Sequence, residues 1–265
     1  ESKGVRLGLE ILMCCILLGS LFGATVYSVW HLRRSRRILA DIDLTTILVA
    51  ADTQIDGKLV ARLRDGSVRL LRCDWLSSES SDASLGRDAD GTVIMKRRQD
   101  LPAEAFVPRE EAAALLLAGD RSVLALSHGW LTALHPDPHG TTLAAVRRYL
   151  ASGAGGVGLF WDFAALPQKD EAGRRSLADV AIFARGLEVM GAMYASIATA
   201  VLQQRNIVLP PGAATGQGAY NPTPYEGDGG RGWCIFEQGV SMTVLAHLTA
   251  AERQAAGKGK ALPER

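Results

Sequence analysis

The fold is decided by the stretch Val123-Leu124-Ala125-Leu126-Ser127, whose apolar run is typical of a strand buried on both faces of a sheet. A helix is predicted next, over 142–150, and a second apolar strand follows at 158–161. Ser176 then begins a long helix, which leads to a third strand at 198–202. This alternation predicts an α/β fold, a short parallel sheet with helices on its faces.

The long helix and a last helix over 232–248 are expected to pack on this sheet. One stripe of the long helix is predicted to face the core, and it consists of Leu177, Val180, Ala184, Leu187, Gly191 and Tyr194. The most buried residues of the strands and the last helix are expected to be Leu124, Leu126, Leu159, Phe160, Val201 and Trp233.

The region before this sheet is predicted to be a small β region, 46–100. Residues 58–63 and 68–74 alternate in polarity, and Arg64-Asp65-Gly66-Ser67 between them is typical of a β-hairpin turn. Residues 77–91 are rich in Ser, Asp and Gly and are interpreted as a flexible loop.

Residues 11–30 contain no charged side chain, and as a helix they would cross about 30 Å, the thickness of the bilayer's hydrocarbon core. A cleaved signal peptide and a buried soluble helix are the alternatives, but the run is long for a signal peptide and its strongest charge follows it. The four arginines within 31–37 place the C-terminal part in the cytoplasm by the positive-inside rule. We therefore predict a single-pass membrane protein in contact with lipid, in which Gly19 and Gly23 could let two helices pair as a homo-oligomer.

The overall charge excludes two classes of protein. With 29 basic and 28 acidic side chains, the chain is neither a generally basic nucleic-acid binder nor an acidic tail protein, so we expect no nucleic-acid partner. A hydrophobic content of 48% excludes global disorder, and four cysteines are too few for a disulfide scaffold at this length.

Polar side chains follow the ends of the predicted strands, where parallel sheets bind their ligands. Ser127 and His128 end the first strand, and Asp162 ends the second. His128 could be a base, a hydrogen-bond donor or a satisfied loop histidine, and Asp162 could instead cap a helix or a turn.

Glu237 is the most informative residue, because it interrupts an otherwise apolar face of the last helix. Burial of a carboxylate is costly unless the group is paired or changes its protonation state. Glu237 is therefore either a functional carboxylate or a structural acid paired with Arg231 or Arg205.

The sequence contains no motif that would indicate a metal site or a site for a nucleotide cofactor. Two prolines between His135 and His139 exclude an i, i+4 pair on a helix, and no nearby cysteine completes a zinc site. The sequence has no P-loop, no dinucleotide-binding fingerprint and no nucleophile elbow. We predict no metal and no resident cofactor.

The last helix begins with Arg231-Gly232-Trp233-Cys234-Ile235-Phe236-Glu237, which resembles the S-x-W-C-x-x-E motif of Toll/interleukin receptor (TIR) domains, with Arg231 in place of the serine. The three predicted strands are similar to the first three TIR strands. In NAD-cleaving members the glutamate of this motif is catalytic, so the resemblance implies that role for Glu237 and NAD as a substrate. A full TIR domain has further strands after this helix, so we expect an incomplete TIR-like or flavodoxin-like sheet.

The chain is also similar to the fungal heterokaryon-incompatibility (HET) domain, a distant TIR relative. Trp161-Asp162-Phe163-Ala164-Ala165-Leu166-Pro167-Gln168 resembles its W-I-D-x-x-C-I-N-Q signature, with Ala165 and Pro167 replacing the Cys and the Asn. Residues 191–196 resemble its M-x-x-I-Y-x-x-A segment, and residues 231–237 resemble its R-x-W-x-x-Q-E. The resemblance covers 123–248, and Arg97-Arg98-Gln99-Asp100-Leu101-Pro102 has no counterpart in it.

Two functions follow as hypotheses. The first is a membrane-anchored TIR/HET-like signalling module that assembles through protein–protein contacts, with Glu237 as a structural residue. The second is an NAD hydrolase that cleaves the nicotinamide glycosidic bond, with Glu237 as the catalytic carboxylate and aromatic side chains stacking on the rings. The predicted substrate-binding residues are Ser127, His128, Trp130, Asp162, Phe163 and Trp233.

The predicted organisation has six parts. They are an N-terminal flank (1–10), a membrane span (11–30), a basic linker (31–45), the small β region (46–100), the TIR/HET-like domain (101–248) and a flexible tail (249–265).

Overall fold

The computed structural model describes residues 56–153, 155–170, 172–205, 224–225 and 232–257, and for 247–257 only the backbone. These residues belong to the unit Asp52–Arg265. The predicted membrane span at 11–30, with Gly19 and Gly23, lies outside the described residues, as do the flank and the basic linker. Among the residues that are described, no helix has the length and apolarity needed to cross a membrane.

The structure is α/β, with a mixed four-stranded sheet between helices. Its strand order is β1-β5-β4-β6, in which β4 pairs in parallel with both β5 and β6 while β1 runs antiparallel to β5. A separate two-stranded ribbon joins β2 to β3. The strands are β1 (Leu71–Arg72), β2 (Gly86–Arg87), β3 (Val93–Ile94), β4 (Val123–Ser127), β5 (Gly158–Phe160) and β6 (Thr199–Gln203).

Helices cover both faces of the sheet. They are α1 (56–64), α2 (Cys73–Ser77), α3 (Arg109–Ala118), α4 (Thr141–Ala151), α5 (Asp162–Ala165), α6 (Leu177–Ala195) and α7 (Gly232–Gly257). The predicted start of the long helix is confirmed: the Ser176 side chain caps α6, accepting a hydrogen bond from the Asp179 amide at 3.0 Å.

Alternation along β4 divides the core into two layers. Val123 and Ala125 point to a cluster built with α1, α3 and α6, whereas Leu124 and Leu126 point to a cluster built with α2 and α4. Each fully buried leucine of these layers stabilises the fold by roughly 1.5–3 kcal/mol relative to an exposed one. The same alternation directs the next residue, Ser127, toward the α6 side of the sheet.

The predicted parallel pairing of the three apolar strands is confirmed, but the sheet is mixed rather than purely parallel. The predicted hairpin over 58–74 is wrong. Residues 56–64 are helical, and Leu71–Arg72 pairs with β5 in the main sheet. The alternating polarity led to the wrong prediction because Leu59, Val60 and Leu63 also share one face of a helix, and all three are buried there.

Two other predictions about burial are wrong. On α6, Leu177 is 91% exposed and Val180 is 50% exposed, and of the predicted stripe only Tyr194 is buried. The face that meets the core consists of Gly186, Val189, Met190, Met193 and Tyr194. On α7, Trp233 is 61% exposed, because the buried face of this helix is one residue further along, at Cys234 and Glu237.

Two segments also differ from their predicted description. Residues 77–91 hold a 3-10 helix, Glu79–Ala83, and the strand β2, so they are not an irregular loop. The last helix continues past residue 248, as far as Gly257, into the predicted tail. Of the remaining expected core residues, Leu124, Leu126, Leu159 and Phe160 are buried, as predicted, whereas Val201 is only half-buried.

Candidate functional site

A cavity of about 570 Å³ opens beyond the carboxyl ends of β4 and β5. This volume is typical of small-molecule sites, and the position is the one where parallel sheets bind ligands. The loop after β4, the segment that begins at α5, and the helices α6 and α7 form the walls. Among the described residues, four charged side chains line the cavity, and they are Asp162, Lys169, Arg175 and Glu237.

Glu237 enters this cavity from α7, and it is 7% exposed. The Ser127 hydroxyl, at the end of β4, donates a hydrogen bond of 2.6 Å to its Oε2 atom. The bond crosses from the sheet to the helix and fixes one carboxylate oxygen. Glu237 is therefore an oriented acid and not one that reaches toward solvent.

Two tyrosines complete the surroundings of this carboxylate. The Tyr225 hydroxyl lies 2.7 Å from Ser127 Oγ. When Glu237 is ionised, Ser127 donates its single proton to the carboxylate, and the Tyr225 hydroxyl is then the donor to Ser127. The Tyr194 hydroxyl of α6 donates to the Leu126 carbonyl at 3.1 Å and also faces the Glu237 carboxylate.

The environment raises the pKa of Glu237 to about 7. Burial is the main cause, because it disfavours the charged carboxylate, and the negative charge of Asp162 raises the pKa further. The hydrogen bond from Ser127 and the nearby Tyr194 hydroxyl oppose this shift. A carboxyl with a pKa near neutrality can donate or accept a proton at working pH, as general acids and bases do.

Asp162, the second carboxylate of the cavity, begins α5. Its Oδ2 atom accepts a hydrogen bond of 2.8 Å from the Trp130 indole, and its Oδ1 atom accepts one of 2.7 Å from the Phe163 amide. Both oxygens are thus oriented by the protein, and the Trp130 ring is held in the cavity wall by the same contact.

His128 lines the cavity as a neutral ring. Its Nε2 atom accepts a hydrogen bond of 3.2 Å from the buried Trp161 indole and lies 3.9 Å from Asp162 Oδ1. Burial lowers the pKa of His128, and the charges of Asp162 and Asp137 only partly oppose this. The imidazole is therefore a packed and hydrogen-bonded wall residue, and its Nε2 lone pair is already engaged.

The other charged lining residues are cations. Lys169 and Arg175 belong to the segment between α5 and α6. The Arg175 guanidinium donates to the Pro167 carbonyl at 3.0 Å and lies 3.6 Å above the Phe183 ring, which also lines the cavity. The cavity therefore has carboxylates, cations and aromatic faces.

The Trp161–Gln168 motif forms a closed turn, which makes one wall of the cavity. The Gln168 side chain donates back to the carbonyls of Asp162 at 3.1 Å and Leu166 at 3.0 Å. Gln99 holds the same segment through two hydrogen bonds. Its side-chain oxygen accepts from the Gln168 amide at 3.0 Å, and its side-chain nitrogen donates to the Gln168 carbonyl at 2.7 Å. The Arg97–Pro102 stretch, which has no counterpart in the resembled families, thus supports the cavity from outside.

The structure brings most of the predicted site residues together. His128, Trp130, Asp162, Trp233 and Glu237 line one cavity. Ser127 is fully buried and reaches the cavity only through its bond to Glu237. Phe163 is 2% exposed and packs behind Trp130 with their ring centroids 5.7 Å apart, so it belongs to the core rather than to the lining.

Sequence reasoning missed four residues of this site. Tyr194 was visible as part of an apolar stripe, but nothing in that pattern indicated a hydroxyl against Glu237. Lys169 and Arg175 follow residues 161–168 closely in the chain, and this position in the sequence could have indicated that they belong to the site. Tyr225 had no signal, because it comes from the Gly- and Pro-rich stretch between β6 and α7.

Within the described part of the chain, no group of three or more His, Cys, Asp or Glu side chains is placed to hold a metal. His135 is engaged instead in backbone contacts, with Met95 O and the Asp137 amide both 2.9 Å from its ring nitrogens. When the chain is compared with known proteins, no protein family, no curated protein and no solved structure matches it.

Proposed function

We propose that this domain hydrolyses the N-glycosidic bond of a nicotinamide nucleotide such as NAD, with Glu237 as the catalytic carboxylate. The observation that carries the proposal is a buried carboxyl with a pKa near 7, fixed by Ser127 and facing a cavity of nucleotide size. A purely structural acid needs a partner but has no need of a cavity.

The chemistry requires little more than this carboxylate. The bond between the ribose C1′ and the nicotinamide nitrogen breaks, nicotinamide leaves with the electron pair, and the ribose becomes an oxocarbenium-like cation. The ionised Glu237 stabilises that cation in a site of low polarity, where electrostatic interactions are strong. Water then adds to C1′, and its proton passes to Glu237, whose pKa suits it for that step.

The rest of the cavity is suited to the remaining parts of the substrate. Trp130, Trp233 and Phe183 offer aromatic surfaces for the nicotinamide and adenine rings. Lys169 and Arg175 offer positive charge for the pyrophosphate. Asp162 lies where it could accept hydrogen bonds from ribose hydroxyls.

Nicotinamide release from NAD by the full chain tests the proposal. Wild type should release it, and Glu237→Gln, which keeps the shape of the side chain, should be slower by roughly 10²–10³-fold. Glu111→Gln is the matched control, because Glu111 is an exposed glutamate on α3, and its rate should equal that of wild type. A wild-type chain without activity, or a folded Glu237→Gln chain with full activity, would contradict the proposal.

Assembly with copies of the same chain is a second candidate function, and one observation favours it. Large apolar side chains are exposed on two neighbouring helices, at Leu177 of α6 and at Trp233, Phe236 and Met242 of α7. Sedimentation of the full chain tests this candidate. Met242→Glu should dissociate an assembly that uses this surface, and a wild-type chain that stays monomeric would exclude it.

Both candidate functions include a membrane anchor at 11–30, with the C-terminal domain on the cytoplasmic side of the membrane. Protease treatment of sealed microsomes tests it. Digestion of the C-terminal domain is expected, and protection of that domain inside the vesicles would contradict the orientation.

A further inference from the structure

Three arginines from separate segments converge on the turn after α1. Arg98 donates to the carbonyls of Gly66 at 2.6 Å and Ser67 at 2.9 Å. Arg109, at the start of α3, lies so close to Gly66 that a Cβ atom there would be 2.7 Å from the Arg109 guanidinium carbon. Arg69 follows the same turn, and its guanidinium lies 3.8 Å above the Phe106 ring.

Two of these three arginines have no acid bonded to them in the part of the chain that the structure describes, whereas the charges of Asp65 and Asp179 act on Arg98. Across the described residues, neither Arg69 nor Arg109 has an ion pair or a hydrogen bond to a carboxylate. Arg69 Nε is buried and has no hydrogen-bond partner at all. The acid of the turn, Asp65, is bonded instead to Arg62, at 2.8 Å.

Arginines held together in this way are costly for the isolated protein. Burial, and then the positive charge of Arg109, lower the pKa of Arg69. Burial also lowers the pKa of Arg98 to about 10, an effect that the charges of Arg69 and Arg109 increase and those of Asp179 and Asp65 oppose. Like charges held together and a buried donor left unpaired both favour binding of an anion at this place.

We propose that Arg69 and Arg109 bind a phosphate-type oxyanion, and that Arg98 holds the turn between them in place. One guanidinium fork satisfies a carboxylate, whereas a tetrahedral phosphate has enough oxygens to accept from two guanidiniums at once. The site is built from the α1 turn and the start of α3, so it is separate from the Glu237 cavity, and it does not depend on the proposed reaction.

Titration of the full chain with inorganic phosphate tests the site. Arg69→Gln and Arg109→Gln should each weaken binding by roughly tenfold or more, since each removes a charge-assisted contact. Arg109→Lys should weaken it less, because the charge remains while the fork is lost. Arg148→Gln is the matched control, an exposed arginine of α4, and should bind as wild type does.

Two further arms identify the source of the phosphate and its place. Binding to phosphatidylcholine vesicles with and without a phosphatidylinositol phosphate shows whether the chain binds a lipid headgroup more tightly than free phosphate. If Arg69→Gln reduces the difference between the two kinds of vesicle, the arginine cluster is the part of the chain that binds the headgroup. Lys169→Gln, in the Glu237 cavity, reduces any phosphate binding at that cavity, and the losses caused by Arg69→Gln and Arg109→Gln should persist in this background. Equal binding by wild type, Arg69→Gln and Arg109→Gln, or no binding of either probe, would overturn the proposal.

Discussion

Ser127 and Glu237 lie 110 positions apart in the chain, and a hydrogen bond of 2.6 Å joins the hydroxyl of one to the carboxylate of the other. The bond links the end of β4 to α7, and it holds a carboxylate where burial alone would favour the neutral acid. Glu237 thus combines a fixed geometry with a raised pKa.

Glu237→Gln should stabilise the protein at alkaline pH. The pKa of Glu237 is 4.5 in its ordinary state and about 7 when folded, so the folded chain keeps a proton that the unfolded chain loses in between. Stability therefore falls as pH rises through this window, by roughly 3 kcal/mol for a shift of this size. Gln does not titrate, and the variant should unfold at a higher temperature than wild type above about pH 8.

Thermal unfolding of both proteins over a range of pH measures this effect. The advantage of the variant should shrink as the pH falls toward the ordinary pKa of glutamate. An advantage that does not change with pH would show that packing rather than ionisation separates the two proteins, and would contradict a raised pKa.

Ser127→Ala should raise the pKa of Glu237 above its wild-type value. The serine hydroxyl bonds the charged form of the carboxylate, and its removal leaves burial and the Asp162 charge less opposed. The titration of the Glu237 carboxyl by carbon NMR measures the shift. Ser122→Ala is the control, because the buried Ser122 hydroxyl has no hydrogen-bond partner, and it should leave the pKa unchanged.

Asp162→Asn should shift the same titration in the opposite direction. The negative charge of Asp162 raises the pKa of Glu237, so a neutral amide at this position should lower it. The side-chain oxygen of Asn can still accept the hydrogen bond from Trp130, but its amide nitrogen cannot accept the one from the Phe163 amide, so the variant loses one hydrogen bond together with the charge. An unchanged or higher Glu237 pKa in this variant would mean that the two carboxylates do not interact.

Gly140→Ala should destabilise the fold by several kcal/mol more than Gly119→Ala. Both glycines have a positive φ, 68° and 66°, so both variants lose roughly 1–2 kcal/mol to backbone strain. At Gly140 the added Cβ would also lie 2.3 Å from the Val93 carbonyl oxygen, whereas nothing lies within 4 Å at Gly119. Chemical denaturation measures the difference, and equal losses would contradict the packing of α4 against β3.

The central strands could be predicted from the sequence because few other local structures fit their residues. Val123–Ser127 and Gly158–Phe160 are buried throughout, and a strand buried on both faces needs an unbroken apolar run. The helix α3 was also predictable, since Gly119 ends it in a left-handed conformation that glycine adopts easily.

The face that a helix buries was harder to predict where apolar residues surround it. In α6 the exposed Leu177 and Leu187 are as apolar as the buried Met190 and Met193, so periodicity could not choose between the two faces. The hairpin prediction failed for a related reason. Short segments such as 58–63 fit both a strand and a helix, and packing of Leu59 and Leu63 in the core decides for the helix.

The residues of the site whose positions follow from the sheet topology could be predicted from the sequence. Strand ends at Ser127 and Asp162 indicated a common cleft, and the carboxylate in an apolar helix face indicated Glu237. Tyr225 and Gln99 could not be found, because their contacts join segments whose approach is set by the complete fold.

The pH dependence of nicotinamide release from NAD tests the central claim most directly. If the ionised Glu237 carboxylate stabilises the ribose cation, the rate of the wild-type chain should rise with pH to a plateau, with its midpoint near the pKa of about 7. Glu237→Gln should lose this dependence together with roughly 10²–10³-fold of the rate. A wild-type rate that does not change across neutral pH, or a Glu237→Gln variant with the wild-type profile, would contradict the account.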